Sequence, residues 1–349
     1  MTSSRGGAGI PLVELTLARF REFLREPEAV FWVFAFPVIM TCALGIAFRA
    51  KGDEPVIAGV ADGPGAARIV QALESAGTFT VRRIPRGEVE RAIRDGRAPV
   101  VVVPGEPPTY RFDEARPESQ VARLAVDRAL QRAGGRVDAF VPVEAPIATV
   151  GSRYIDWLVP GLLGMNIMST GLWGVGFSIV QARVKKLLKR LVATPMSKAD
   201  YLLSHVLSRL IFLGLEAAVI LGFARVAFGV GSAGGYVAVA VLSVLGALAF
   251  GGIGLLVASR ARTIEGVSGL MNLVMLPMWV LSGVFFAASN FPDVMQPFIQ
   301  ALPLTALVDA LRGVMIDGQS LAGVGGEAGL VAAWGLGSFG LALWLFRWA

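Results

Sequence analysis

Cysteine and histidine are almost missing from this chain. One of each occurs in 349 residues, Cys42 and His205. A single cysteine excludes an intrachain disulfide framework and a cysteine metal cluster. A single histidine excludes a multi-histidine metal site. Charge is scarce as well: 17% of residues are Asp, Glu, Lys or Arg, where a soluble domain carries roughly a quarter. Apolar residues fill the gap, at 54% of the chain with a mean hydropathy of +0.63. That balance points to a membrane protein. The formal net charge of +6 gives little support to a nucleic-acid partner in so apolar a chain, and none is expected. A cleavable signal peptide does not fit the start, because roughly two dozen residues, acids among them, precede the first apolar run.

The apolar residues are not spread evenly. Leu12, Leu15, Leu17, Phe20, Phe23 and Leu24 recur at helical spacing, with Arg19, Arg21, Glu22 and Arg25 between them. This reads as an amphipathic helix in the membrane interface. Pro27 permits a turn into a first span over 29–48. Residues 51–150 are polar and alternate strand, helix, strand, helix, strand, strand and a longer helix, which predicts a small α/β domain. Its turn "ADGPGAARI" has the glycines of a phosphate loop but not the lysine and hydroxyl, so it reads as an ordinary strand-to-helix turn. From Tyr154 onward five more spans are predicted, at 154–180, 201–228, 236–258, 267–288 and 328–346. The moderately apolar 291–318 between the last two, holding Pro303, Asp309 and Arg312, reads as a re-entrant element covered by protein.

The expected architecture is thus an α-helical polytopic membrane protein. It has six transmembrane helices, an N-terminal interfacial helix, and a small α/β extracytoplasmic domain between the first two spans. Its three parts are 1–50, 51–150 and 151–349. With six spans, the basic clusters at Arg19–Arg25, at 183–198, at Arg260 and Arg262, and at Arg347 all fall on one side. The positive-inside rule makes that side the cytoplasm, with both termini there.

The segment 181–198 places Arg183, Lys185, Lys186, Lys189 and Arg190 directly between two spans. It reads either as a handle for a cytoplasmic partner or as topogenic charge in contact with lipid headgroups. Thr194 and Pro195 stop this helix before the next begins. A basic helix followed by "LVATPMSKADYLLSHVLSR" resembles the cytoplasmic loop of ABC-2 type transporter permeases. The stretch "MLPMWVLSGVFFAASNFPDVMQPFIQALPLTALVDALRGVMIDG" resembles the same family's outer motif, through Ser282, Gly283, Phe285, Phe286, Pro292, Pro303, Leu304, Thr305, Ala310, Arg312 and Gly313. It departs at "AAS" after the paired phenylalanines, where a proline is common, and at Leu302, where asparagine is common. The resemblance extends over nearly the whole chain.

That resemblance implies a transport subunit that is not itself an enzyme, with no catalytic residue, metal or bound cofactor. ATP and magnesium would sit on a separate ATPase subunit. A second permease copy or paralogue would complete a dimer in the bacterial inner membrane. Export of a hydrophobic or amphipathic molecule (drug, antibiotic or lipid-like) is the implied function. Contact with the ATPase falls to Arg183, Lys185, Lys186, Lys189, Arg190, Thr194, Pro195, Arg21 and Glu265. Asn166, Thr170, Glu216 and Asn272 are the polar side chains expected inside spans, at the pathway or at helix interfaces. Two rival readings stay open at this point: an ion-coupled secondary transporter, disfavoured by the lack of an internal repeat, and a membrane-anchored receptor or assembly protein with 51–150 as its binding module.

Overall fold

The computed structural model describes residues 17, 20, 21, 25, 27–47, 55–140, 143, 151, 153–184, 198–261 and 263–345, with backbone only at 182 and 198–207. The chain divides into two compact units, Lys51–Ile147 and the remainder.

The smaller unit carries the predicted α/β alternation. Strands β1 (Val56–Ala61), β2 (Phe79–Ile84), β3 (Val100–Val103) and β4 (Thr109–Phe112) form one sheet in the order β2-β1-β3-β4. β1 runs parallel to β2 and β3, and β4 is antiparallel to β3. Parallel pairing needs crossover connections, supplied by helices α2 (Ala66–Ser75) and α3 (Val89–Arg94). Successive strand residues point to opposite faces. Ala58, Val60, Val100 and Val102 therefore share one buried cluster with Leu73 of α2 and Val126 of α4 (Pro117–Ala133). Ala61, Ile84 and Val101 meet Val89 and Ala92 of α3 on the other face.

The larger unit is helical. A continuous run over 27–47, labelled α1, passes through a π-helical segment at Phe31–Ala35. Helix α5 covers 154–184, again with a π-helical segment, at Trp173–Phe177. Next come α6 (Lys198–Phe228), α7 (Tyr236–Arg260), α8 (Ile264–Leu281), the short α9 (Gln296–Gln300), α10 (Pro303–Met315) and α11 (Gly325–Leu345). Among the described residues five helices are long and apolar enough to cross a membrane, namely α5, α6, α7, α8 and α11. A shorter apolar helix, Phe31–Ala47, stands where the first span is expected.

Burial ranks these helices. The apolar windows of α5 and α7 are 61% and 56% buried, against 22% for α8 and 17% for α11. So α5 and α7 are the most buried of the long helices and share the core with the buried α10, while α8 and α11 turn most of their surface outward. Small residues allow the central pair to approach closely. A Cβ on Gly171 would fall 2.7 Å from that of Phe250, and one on Gly254 would fall 2.8 Å from the Leu172 carbonyl oxygen.

One detail differs from the sequence reading. Helix α8 stops at Leu281 rather than 288, because Gly283 adopts φ +72°, a left-handed conformation that ends a helix. The segment 293–315 is a broken pair, Asp293–Gln300 and Pro303–Met315, bent by 83°. Pro303 starts the second arm, where its missing N–H costs nothing.

The bundle has two distinguishable ends. At one, Gly45 of α1 packs against Ile155 of α5 and Phe228 of α6, with a Cβ there only 3.0 Å from both side chains. This end also carries the bent pair through its contacts with α5. The opposite end carries Arg183 and Arg260.

Candidate functional site

Asn166, Thr170 and Gly174 follow one another at four-residue spacing along α5, so they share a face. Arg209 and Glu216 are seven residues apart on α6 and share a face of that helix. The two faces meet. Asn166 Nδ2 donates to Glu216 Oε2 at 3.3 Å, and Thr170 Oγ1 donates to the Asn166 carbonyl at 2.7 Å. Lower down, the Arg209 guanidinium lies against Gly174, where a Cβ would sit 2.9 Å from its central carbon. Gly174 belongs to the π-helical turn, a departure from regular helix often found where function requires one.

The environment of this polar line is dry. Glu216 is 1% exposed, Asn166 5% and Thr170 7%. Glu216 Oε1 and Arg209 Nη2 are both buried with no hydrogen-bond partner. A charge buried this way is costly unless compensated. The opposite charge nearest in sequence is Arg209, seven residues before Glu216 on the same face of α6.

Two clasps bracket the line. At the bent-pair end, Arg312 of α10 lies 3.7 Å over the Trp157 ring of α5. Its Nη2 donates to the Gly283 carbonyl at 2.6 Å, and its Nη1 lies 3.8 Å from Asp309. One guanidinium thus joins α5, the end of α8 and α10. Beside it, Arg153 donates twice to Asp156 and once, at 2.8 Å, to the Phe228 carbonyl at the end of α6. At the opposite end, Arg183 Nη1 donates to the carbonyls of Ala258 and Ala261, at 3.3 and 2.8 Å. These are orphan acceptors at the C-terminus of α7, so Arg183 caps that helix.

The residues singled out from sequence are distributed as follows. Asn166, Thr170 and Glu216 come together. Asn272 does not join them: it is exposed on the outward face of α8, beside the exposed Leu273 and Leu276. Gly283 and Arg312 meet directly. Ser282 and Thr305 are buried with their hydroxyls unpaired, and Pro303 and Gly313 are buried in α10. Phe286 is exposed. Arg21 is exposed, next to Phe20, whose ring stacks on Phe212 at 5.2 Å. Glu265 is exposed in the first turn of α8, where an acid suits the helix dipole, and Thr263 caps that turn by accepting from the Gly266 N–H. Lys185, Lys186, Lys189, Arg190, Thr194 and Pro195 lie outside the described residues.

Sequence reasoning missed Arg209 and Trp157. The signal for Arg209 was present: a cation seven residues before Glu216 in an apolar helix. Among the described residues no group of His, Cys, Asp or Glu is placed to hold a metal ion.

Fold and polar line together define a polytopic helical membrane protein, in which charges serve to join helices. A sequence profile described as "ABC-2 family transporter protein" matches residues 28–344. The chain belongs to that family. It is 28% identical to the "Inner membrane transport permease YadH" of Escherichia coli (strain K12), over 46% of this chain and 63% of that protein. It is 26% identical to the "Linearmycin resistance permease protein LnrN" of Bacillus subtilis (strain 168), over 50% of this chain and 45% of that protein. It is 25% identical to "Nodulation protein J" of Bradyrhizobium diazoefficiens, over 48% and 64% respectively. The matched region spans less than two thirds of the length of each of these relatives.

Proposed function

We propose that this chain is the membrane subunit of an ATP-driven exporter in a bacterial inner membrane. The observation that carries the reading is the family match over 28–344, supported by relatives named as transport permeases, one of them for linearmycin resistance. ATP and magnesium would be held by a separate ATPase subunit. The basic segment with Lys185, Lys186, Lys189 and Arg190, together with Arg21 and Glu265, would meet that subunit. Under the positive-inside rule the arginines at the Arg183 end support a cytoplasmic orientation for that end and both termini, with 51–150 extracytoplasmic. The cargo would be hydrophobic or amphipathic.

Arg183 has a structural part as well. It fastens α5, which leads into the basic segment, to the end of α7, one of the core helices. A push on that segment would reach the polar line through α5. Asn272 supports a second permease copy, because a polar side chain on an apolar membrane-facing surface is favoured only when protein or water covers it.

The test is purification in mild detergent from the native host, with every co-purifying ATPase identified, followed by an ATP hydrolysis assay. A stoichiometric complex is expected. Lys186→Glu with Arg190→Glu should release the ATPase or abolish substrate-stimulated turnover. A well-folded permease that never binds an ATPase, in detergent or by cross-linking in native membranes, would overturn the proposal and favour an ion-coupled or receptor role.

A further inference from the structure

Helices α6 and α7 are neighbours in sequence but do not close against each other along their outward faces. Between them runs an apolar groove of about 520 Å³. Its α6 wall is made of Gly214, Ala218 and Gly222, and its α7 wall of Ala240 and Val244. The space is open: a Cβ built on Gly214 or Gly222 would meet nothing within 4 Å. Ser243 on the α7 wall adds no free polar group, because its hydroxyl donates to the Val239 carbonyl at 2.7 Å.

The turn 229–235 holds the pair apart. Its Ala233 and Gly234 N–H groups donate to the Met315 and Val314 carbonyls of α10, at 3.0 and 2.9 Å. Arg153 fixes the end of α6 at Phe228. The hairpin is therefore fastened to α10 and, through Arg153, to the start of α5.

At the bent-pair end the groove finishes at Arg225 and Tyr236. Arg225 is exposed, and its guanidinium rests beside Gly231, 3.5 Å from where a Cβ would be. That guanidinium makes no ion pair or hydrogen bond with any described residue. The turn itself, "GVGSAGG", contains no acid. From Leu210 to Arg225 the α6 wall rises about 22 Å, enough to cross one leaflet of a hydrocarbon core about 30 Å thick. An unpaired cation at the membrane surface thus stands at the head of an apolar channel one leaflet deep.

We propose that this groove binds one anionic phospholipid from the leaflet at the bent-pair end. The phosphate sits on Arg225 and one acyl chain lies along Gly222, Ala218 and Gly214. The lipid is a resident partner that completes the α6–α7 wall, and the site does not depend on the export reading.

The test uses the full chain, delipidated in mild detergent and examined by native mass spectrometry with phosphatidylglycerol or phosphatidylcholine added. One phosphatidylglycerol per chain should be retained in preference to phosphatidylcholine. Arg225→Gln should weaken it roughly fivefold, as expected for one interfacial cation. Arg225→Lys should restore it. Gly222→Leu, which fills open space and favours helix, should displace the lipid while the protein stays folded by circular dichroism. Three results would overturn the proposal: equal retention in all variants, equal binding of phosphatidylcholine, or equal binding of chain-free glycerol phosphate. A fourth would do so as well: loss of a dimer in Gly222→Leu with lipid unchanged, which assigns the groove to a second copy.

Discussion

Glu216 and Arg209 are each unfavourable alone where they sit, and each is made tolerable by the other. Glu216→Leu strips Arg209 of its compensating charge and should cost about 3–5 kcal/mol of stability. The double variant Glu216→Leu, Arg209→Met should recover most of that loss, because apolar replacement of a whole buried pair is nearly neutral. Thermal unfolding in nanodiscs measures both. An additive double variant would show that the two charges do not work as a unit. In the α/β unit, Tyr110 donates to Asp127 at 3.0 Å. Burial first, then that carboxylate, push the Tyr110 phenol from 10.0 up to about 12. The folded state keeps this proton longer than the unfolded state does. Its contribution to stability is thus complete below pH 10 and declines as pH rises toward 12. The wild-type minus Tyr110→Phe phenolate absorbance difference should titrate near pH 12, and the substitution should cost about 1 kcal/mol at neutral pH.

At the scale of elements, the bent pair depends on one side chain. Arg312 meets a ring, a carbonyl and a carboxylate from three elements, a geometry that suits a planar guanidinium and not an ammonium. Arg312→Lys should destabilise the protein by about 2 kcal/mol although charge is kept. Gly283→Ala should cost about 1–2 kcal/mol through its left-handed backbone alone. Differential scanning calorimetry of both variants separates a lost contact from a strained turn. The elements themselves were legible in the sequence, because apolar runs, period-2 strands and glycine turns are local signals. The six strands and helices of the α/β unit up to β4, and the long α4 after them, follow the order read from the chain. The joints were not legible. Arg183 reads as one more charge in a basic cluster, yet it caps α7 across 75 residues of sequence. Asn272 reads like Asn166, an amide inside a span, but one faces Glu216 and the other faces outward. Nothing local reports how one helix is rotated against another.

For the whole molecule, the uneven burial of the helices implies an unfinished surface. Helix α8 leaves Asn272, Leu273 and Leu276 uncovered together. With Cys42 replaced by serine, Asn272→Cys should cross-link two permease chains in native membranes under mild oxidation. Cysteine at the exposed Leu336 of α11 serves as the control and should cross-link less. Equal cross-linking at both positions would point to random collision and would remove α8 as the dimer face.

The contact between Gly45 and Ile155 has a consequence for ancestry. Gly45 and Ile155 flank the α/β unit in sequence and touch within the bundle. An insertion at such a place leaves the direction of every later span unchanged, so a folded module of this kind can be gained, exchanged or lost in a single genetic event. The permease bundle and its appended module are therefore free to have separate histories, and a short loop in place of 51–147 should still give an inserted, correctly threaded bundle.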